Sequence, residues 1–301
     1  MGLWEHGTVM TQPVSVVQVS GARYLELATV LLQRMRLGSP DGGVWEAADI
    51  QWWWRQERPG DEDGQLFWLD GRSEPVAAVL VTDFFHSVQC DVLVPPAESG
   101  LGRAVWQEAL RRATAMAVAA EFPVRSDDAA GLAALAAASY RPAGEPGVVA
   151  TWLAAANRPP VPGLAPGYRL ASRADAAGGP HWLAARNGPG AEARLRQCSL
   201  YRPELDLAVE APDGQIAGYG LFWPDPVTRV GLVEPMRTED AHQRRGIASH
   251  LLAAGLERLA AHGCERLKVS NDISLYLRAG FEPLRTATLI TYARPAMEEA
   301  R

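Results

Sequence analysis

The chain repeats itself, and a repeated sequence folds as copies of one unit. Trp68-Leu69-Asp70-Gly71 followed by the apolar run 75–81 is answered by Val209-Glu210 and Asp213-Gly214 followed by 215–221. Each is two apolar runs joined at an aspartate-glycine turn, the pattern of a hairpin. Gly100-Leu101-Gly102 opens the amphipathic run 103–118 as Gly246-Ile247-Ala248 opens 249–262. Val124-Arg125-Ser126, Tyr140-Arg141-Pro142 and Ala150-Thr151-Trp152 then align with Lys268-Val269-Ser270, Phe281-Glu282-Pro283 and Ile290-Thr291-Tyr292, at offsets of about 146 falling to about 140 residues. Between the copies, Pro159, Pro160, Pro162 and Pro166 stiffen residues 157–167 and forbid helix. The expected organisation is a first domain over 13–156, a linker over 157–167 and a second domain over 168–295. Each copy is expected to begin with a helical segment covering its sheet, over 22–37 in the first and within 174–197 in the second.

Charge and composition exclude several functions. The net charge is −6, and it is uneven: residues 1–164 hold 12 arginines and no lysine against 19 acidic side chains, whereas 165–301 hold 17 basic against 16 acidic. Such a balance speaks against a nucleic-acid partner. The six histidines show no metal-ligand spacing with cysteines or carboxylates, so no metal is expected. Cys90, Cys198 and Cys264 are odd in number and widely spaced, which reads as reduced, buried thiols. No apolar stretch is long enough for a bilayer, and no secretory signal is evident. A cytoplasmic protein without a membrane partner is expected, with residues 1–12 as an unstructured leader. Gly2 is followed at position 6 by His6, so the myristoylation pattern fails.

Gln243-Arg244-Arg245-Gly246-Ile247-Ala248, continuing into Ser249, combines a glycine that lets the backbone approach a ligand, free amides opening a helix, and two arginines. That combination suits a phosphate or diphosphate. The strand-like run Arg229-Val230-Gly231-Leu232-Val233-Glu234-Pro235-Met236 precedes it; Glu265-Arg266-Leu267-Lys268-Val269-Ser270 and Leu275-Tyr276-Leu277-Arg278-Ala279-Gly280-Phe281 follow. A dinucleotide-binding unit fits less well, because Gly246-Ile247-Ala248 continues without the third glycine and no ribose-binding acid is well placed about 20 residues on.

The loop resembles the Q/R-x-x-G-x-G/A diphosphate loop of the GNAT acetyltransferase superfamily, and the last segment resembles its L-Y-x-x-x-G-F signature. The resemblance implies an α/β (α+β) fold of two tandem domains, each a mixed, mostly antiparallel sheet flanked by helices with a splayed central strand pair. It implies acetyl-CoA as co-substrate, held by Met236, Arg237, Thr238, Gln243, Arg244, Arg245, Gly246, Ile247, Ala248, Ser249 and Asn271. It implies an N-acetyltransferase in which a primary amine of a small molecule attacks the thioester directly. The alternatives are another acyl-CoA, a protein amino terminus as acceptor, or a non-catalytic coenzyme A-binding module.

Tyr276 matches the family's general acid; the bare residue reading is a core tyrosine beside Phe281. Glu234 stands where some members carry a base; it also reads as a strand-end carboxylate held by an arginine. Pro235 fits a break in strand pairing. Asn271 precedes Tyr276 by five residues where the family usually has seven, so the intervening helix should be short. Tyr219 and Trp223 are the expected acceptor-binding residues, whereas Phe222-Trp223-Pro224-Asp225-Pro226 also reads as a turn. Trp45 and Trp52-Trp53-Trp54 are expected to serve packing. In the first copy Ala97, Glu98 and Ser99 replace Gln243 and the arginines, Pro95 and Pro96 remove amide donors, and Leu135 replaces Tyr276. That copy is expected not to turn over the coenzyme, and the chain to act as a monomer or weak dimer.

Overall fold

The computed structural model describes residues 14–116, 118–176 and 178–294; the expected leader lies outside them. The first half runs β1 (Ser15–Val19), α1 (Gly21–Gly38), α2 (Ala47–Trp53), β2 (Gln65–Leu69), β3 (Pro75–Asp83), β4 (Val88–Leu93), α3 (Gly102–Ala115), β5 (Ala120–Arg125), α4 (Ala129–Ala137), the short β6 (Arg141–Pro142) and β7 (Gly147–Val148), and β8 (Thr151–Ala154). The second runs β9 (Arg169–Ser172), α5 (Ala184–Asn187), α6 (Ala191–Leu195), β10 (Asp206–Glu210), β11 (Ile216–Pro224), β12 (Val230–Thr238), α7 (Ile247–Ala261), β13 (Arg266–Val269), α8 (Ser274–Arg278), β14 (Glu282–Pro283) and β15 (Thr288–Ala293).

The repeat is visible in the sheets. The first has the order β1-β2-β3-β4-β5-β15-β6 with β7 also on β15, and the second β9-β10-β11-β12-β13-β8-β14. The division at 157–167 needs one correction, because each sheet takes a strand from the other half of the chain. β15 pairs with β5 through Leu289↔Arg125 to Tyr292↔Phe122, while β8 pairs with β13 through Arg266↔Ala154 to Val269↔Thr151. The two copies carry the same strand pattern there, so each strand fits either sheet, and the exchange binds the halves by backbone hydrogen bonds.

All neighbours are antiparallel except β4–β5 and β12–β13, whose parallel direction follows from the helical crossovers α3 and α7. Both pairs are short, Val88↔Ala120 and Gln89↔Glu121 in one, Val230↔Arg266 to Leu232↔Lys268 in the other. Beyond them the strands part and leave a cleft in each domain.

Side-chain alternation along the strands sets the layers. Leu66, Trp68, Ala77 and Val79 pack with Val105, Trp106 and Ala109 of α3. Leu207, Val209, Ala217 and Phe222 pack with Leu251, Leu252, Leu256 and Leu259 of α7. The opposite faces, Phe67, Leu69, Ala78 and Leu80 of one sheet and Ala208, Tyr219, Leu221 and Trp223 of the other, share a single core with α1, Ile50, Trp52 and Trp54. The two domains are therefore built around a common apolar layer. The expected helix over 22–37 is α1, whereas the expected helix within 174–197 is two short ones, because Gly188-Pro189-Gly190 interrupts it with Gly188 at φ +84°. The α1 and α2 segment of the first domain covers much of the face this shortened segment leaves.

Candidate active site

Opposite Leu221, strand β12 carries one residue too many. Gly220 faces Met236 and Phe222 faces Val233, so Glu234 and Pro235 form a bulge, and the Glu234–Pro235 peptide is cis. The carbonyl of Glu234 accepts the indole N–H of Trp223 at 2.6 Å. Past Leu232 the β13 side of β12 has no strand partner, so backbone groups along that edge of 233–238, which holds Met236, Arg237 and Thr238, open into the cleft. The break at Pro235 thus produces the splay expected from the sequence. Arg237 itself is turned to Glu239, its Nε 3.0 Å from Oε1.

At the cleft's far end, Gly246 takes φ +80° as the residue before α7, and the space where a Cβ would project is open to 4 Å. Arg244 is also left-handed, at φ +58°. The amides of Ile247, Ala248 and Ser249 begin the helix without intrahelical acceptors, the first helical bond being His250 N to Gly246 O at 3.0 Å. Arg244 and Arg245 are exposed, and among the described residues neither joins an ion pair. Gln243 donates to Asp240 at 3.0 Å, which shapes the turn rather than facing the helix mouth. Open amides, a helix dipole and two free guanidinium groups match a diphosphate in charge and hydrogen bonding. The linker is fixed to this helix through His250 Nδ1 and Pro162 O, 2.6 Å apart.

Beside the bulge lies a cavity of about 490 Å³ lined by Val233, Glu234, Pro235, Met236, Val269, Ser270, Asn271 and Tyr276 of the second domain. Its remaining wall belongs to the first domain: Trp45, Asp49, Trp53, Phe84 and Gln89. Burial pushes the Glu234 carboxyl up to about 7, and the charge of Asp49 pushes the same way while Arg55 opposes it. Burial, with Glu234 adding to it, raises the Tyr276 hydroxyl to about 12, so it keeps its proton at neutral pH. Tyr276 also packs on Phe281, ring centroids 5.9 Å apart, so the core role and the cavity position coexist. Helix α8 is only five residues long, as the spacing from Asn271 implied. Asn271 lines the cavity but uses its Oδ1 to accept the Ile273 amide at 2.9 Å.

The acceptor residues need correction. Trp223 is 1% exposed and sits in the shared core, so it has no face for a ligand. Tyr219 lies on the same sheet face, is equally enclosed by that core and does not line the cavity. Asp225 closes the turn, its Oδ1 accepting Val227 N at 2.8 Å and Gln33 Nε2 at 3.0 Å. The tryptophans read as packing residues divide: Trp52 and Trp54 are buried, whereas Trp45 and Trp53 face the cavity. Asp49, Phe84, Gln89 and Ser270 were missed; only the density of tryptophans around Asp49 signalled that this segment meets another surface.

The first domain has its own cleft, about 400 Å³, between β4 and β5. Where the second domain has its anion loop, residues Pro96–Leu101 form a 3-10 helix, and Gly102 is in the right-handed region at φ −50°. The cleft lining includes Asp91, Asp127 and Asp128 and a single arginine, Arg125, whose guanidinium donates to Asp127. A diphosphate there meets three carboxylates, and the one guanidinium of the lining is already paired.

Residues 180–281 match the family model described as "Acetyltransferase (GNAT) family". No curated protein matches the sequence. Among solved structures, a tandem GNAT protein from the clavulanic acid biosynthesis pathway is 19% identical, covering 93% of this chain and 98% of that one with a TM-score of 0.61. A GCN5-related N-acetyltransferase from Sphaerobacter thermophilus is 18% identical, covering 96% and 99% with a TM-score of 0.56. A GNAT-family acetyltransferase from Colwellia psychrerythraea is 11% identical, covering 93% and 100% with a TM-score of 0.53. At these identities the likeness is one of fold, and it spans both halves. The chain thus repeats the GNAT fold along its length, and its second half, over residues 180–281, is a domain of the GNAT acetyltransferase family.

Proposed function

We propose that the second domain transfers an acetyl group from acetyl-CoA to a primary amine of a small molecule while both are bound in the cavity between the domains. The observation that carries this reading is that Glu234, raised to about 7, and the protonated Tyr276 face one cavity at the mouth of the splayed strands. A bound acyl-CoA supplies an activated carbonyl and a thiolate leaving group. The loop at Gly246, with Arg244 and Arg245, would hold its diphosphate, and the free edge of β12 near Met236 would direct backbone amides at the carbonyl oxygen.

Glu234 then takes a proton from the incoming ammonium, a task suited to a base poised near neutral pH. Tyr276 gives its hydroxyl proton to the departing sulfur and regains one from the nitrogen as the amide forms. The first domain is proposed to wall the site and to bind no coenzyme. A cytoplasmic, monomeric protein fits three buried, unpaired thiols and strands exchanged within one chain.

The deciding experiment monitors thiol release from acetyl-CoA against a panel of small amines and peptide amino termini, with mass detection of products. Acetylation of small amines is expected. Coenzyme binding without thiol release for any acceptor would leave only a binding module.

A further inference from the structure

Asp49 differs from every other carboxylate of the first domain in facing the catalytic cavity while 2% exposed. Near the start of α2, its Oδ2 accepts the Glu46 amide at 2.7 Å, half of a reciprocal cap. Among the described residues, no donor bonds its second oxygen. The nearby cations are engaged elsewhere. Lys268 donates to Val44 O at 2.7 Å and to Glu46 at 3.0 Å. Arg55 stacks on Trp52 at 3.6 Å and donates to Trp52 O and Asn187.

Asp49 and Glu234 line the same cavity; burial raises Asp49 to about 6, and its charge adds to the rise of Glu234. Beside them, Trp53 lies edge-on to Trp45 at 4.9 Å and to Phe84 at 5.3 Å, and all three rings line the cavity, the Phe84 face already carrying the Arg58 guanidinium at 4.5 Å. A cation relieves repulsion between carboxylates and is attracted by aromatic faces, and a neutral amine gains neither.

We infer that the acceptor is a primary alkylammonium ion, selected by Asp49 and the rings of Trp45 and Trp53 that the first domain contributes. This rests on the acetyl-transfer reading of the same cavity. The cation lies between Asp49 and Glu234 with its carbon body on the rings. Glu234 removes one proton, the freed nitrogen forms the bond to the acetyl carbon as the carbon–sulfur bond breaks, and Asp49 stays ionised throughout. Asp49 is thus an acceptor-binding residue that takes no part in proton transfer.

The test compares isomeric acceptors, 2-phenylethylamine, an alkylammonium at pH 7, and 4-ethylaniline, neutral at that pH. The expected wild-type preference in kcat/KM for the first is tenfold or more, and Asp49→Asn, which still accepts the Glu46 amide, is expected to cut that preference by about tenfold at unchanged acetyl-CoA Kd. Trp53→Leu is expected to raise KM for 2-phenylethylamine without altering coenzyme binding, and serves if Asp49→Asn does not fold. Transfer with the same preference in wild type and variants would overturn the inference alone. Absence of transfer to these and every other amine would overturn the acetyl-transfer reading with it.

Discussion

The ammonium of Lys268, the single lysine of the chain, lies 3.0 Å from the carboxylate of Glu46 in the other domain. Both are buried, Lys268 wholly so, and Arg36 closes the group with its Nε 3.0 Å from the same carboxylate. Trp152, on exchanged strand β8, lies against this cluster, 4.0 Å from Arg266 and 5.2 Å from Arg36. Glu46 begins α2, so the contact that joins the domains also seats Trp45 and Asp49 over the cavity. Burial alone would raise the Glu46 carboxyl, but Lys268 and then Arg36 outweigh it and hold it below the ordinary value.

Glu46→Gln is expected to leave two buried cations short of a counter-charge and to destabilise the protein by about 3–5 kcal/mol. Denaturant unfolding checks this. Because the folded carboxyl titrates below its unfolded value, its contribution is present above about pH 4.3 and is lost as pH falls through the folded value. An unchanged unfolding midpoint would mean that the shared apolar layer and the exchanged strands join the domains without help from this ionic group.

Glu234 works as a base only when deprotonated, so kcat/KM should rise with pH through an apparent pKa of about 7. Glu234→Gln should remove that acid limb and lower turnover by about 10²–10⁴-fold. The pH profiles of both proteins decide the matter. A limb retained in the variant would assign the ionisation to another group.

Tyr276→Phe keeps the ring packed on Phe281 and removes only the proton donor. Turnover is expected to fall by about 10²-fold or more at nearly unchanged coenzyme affinity. Since Tyr276 is raised to about 12, no alkaline loss of activity should come from it below about pH 10. Full activity in the variant would end its assignment as general acid.

Gly255 on α7 has no room for a side chain: a Cβ there would stand 2.0 Å from the Phe222 ring. Gly255→Ala therefore has to displace Phe222, which follows the bulge in β11–β12 pairing. A loss of about 1–3 kcal/mol is expected in thermal melts. An unaltered Tm would show that Phe222 repacks freely.

Much of this was legible in the sequence because it rests on local chemistry. The aspartate-glycine turns, the glycine that opens α7, the break at Pro235 and the position of Tyr276 are each set by a few neighbouring residues. The strand exchange was not legible, since Thr151-Trp152 and Thr291-Tyr292 carry the same pattern and fit the same slot in either sheet. Nor was Asp49, because a helix-cap aspartate facing a distant cavity has the same local sequence as one facing water. Trp223 misled for the converse reason. It neighbours Glu234 in space through its indole N–H, yet alternation along β11 turns its ring to the core with Tyr219 and Leu221.

Calorimetric titration of the whole chain with acetyl-CoA bears most directly on the second domain as the only coenzyme site. One site per chain is expected, lost in Gly246→Trp and kept in Gly100→Trp, the matching change in the first domain. Two sites, or a single site that survives Gly246→Trp and disappears in Gly100→Trp, would contradict the account.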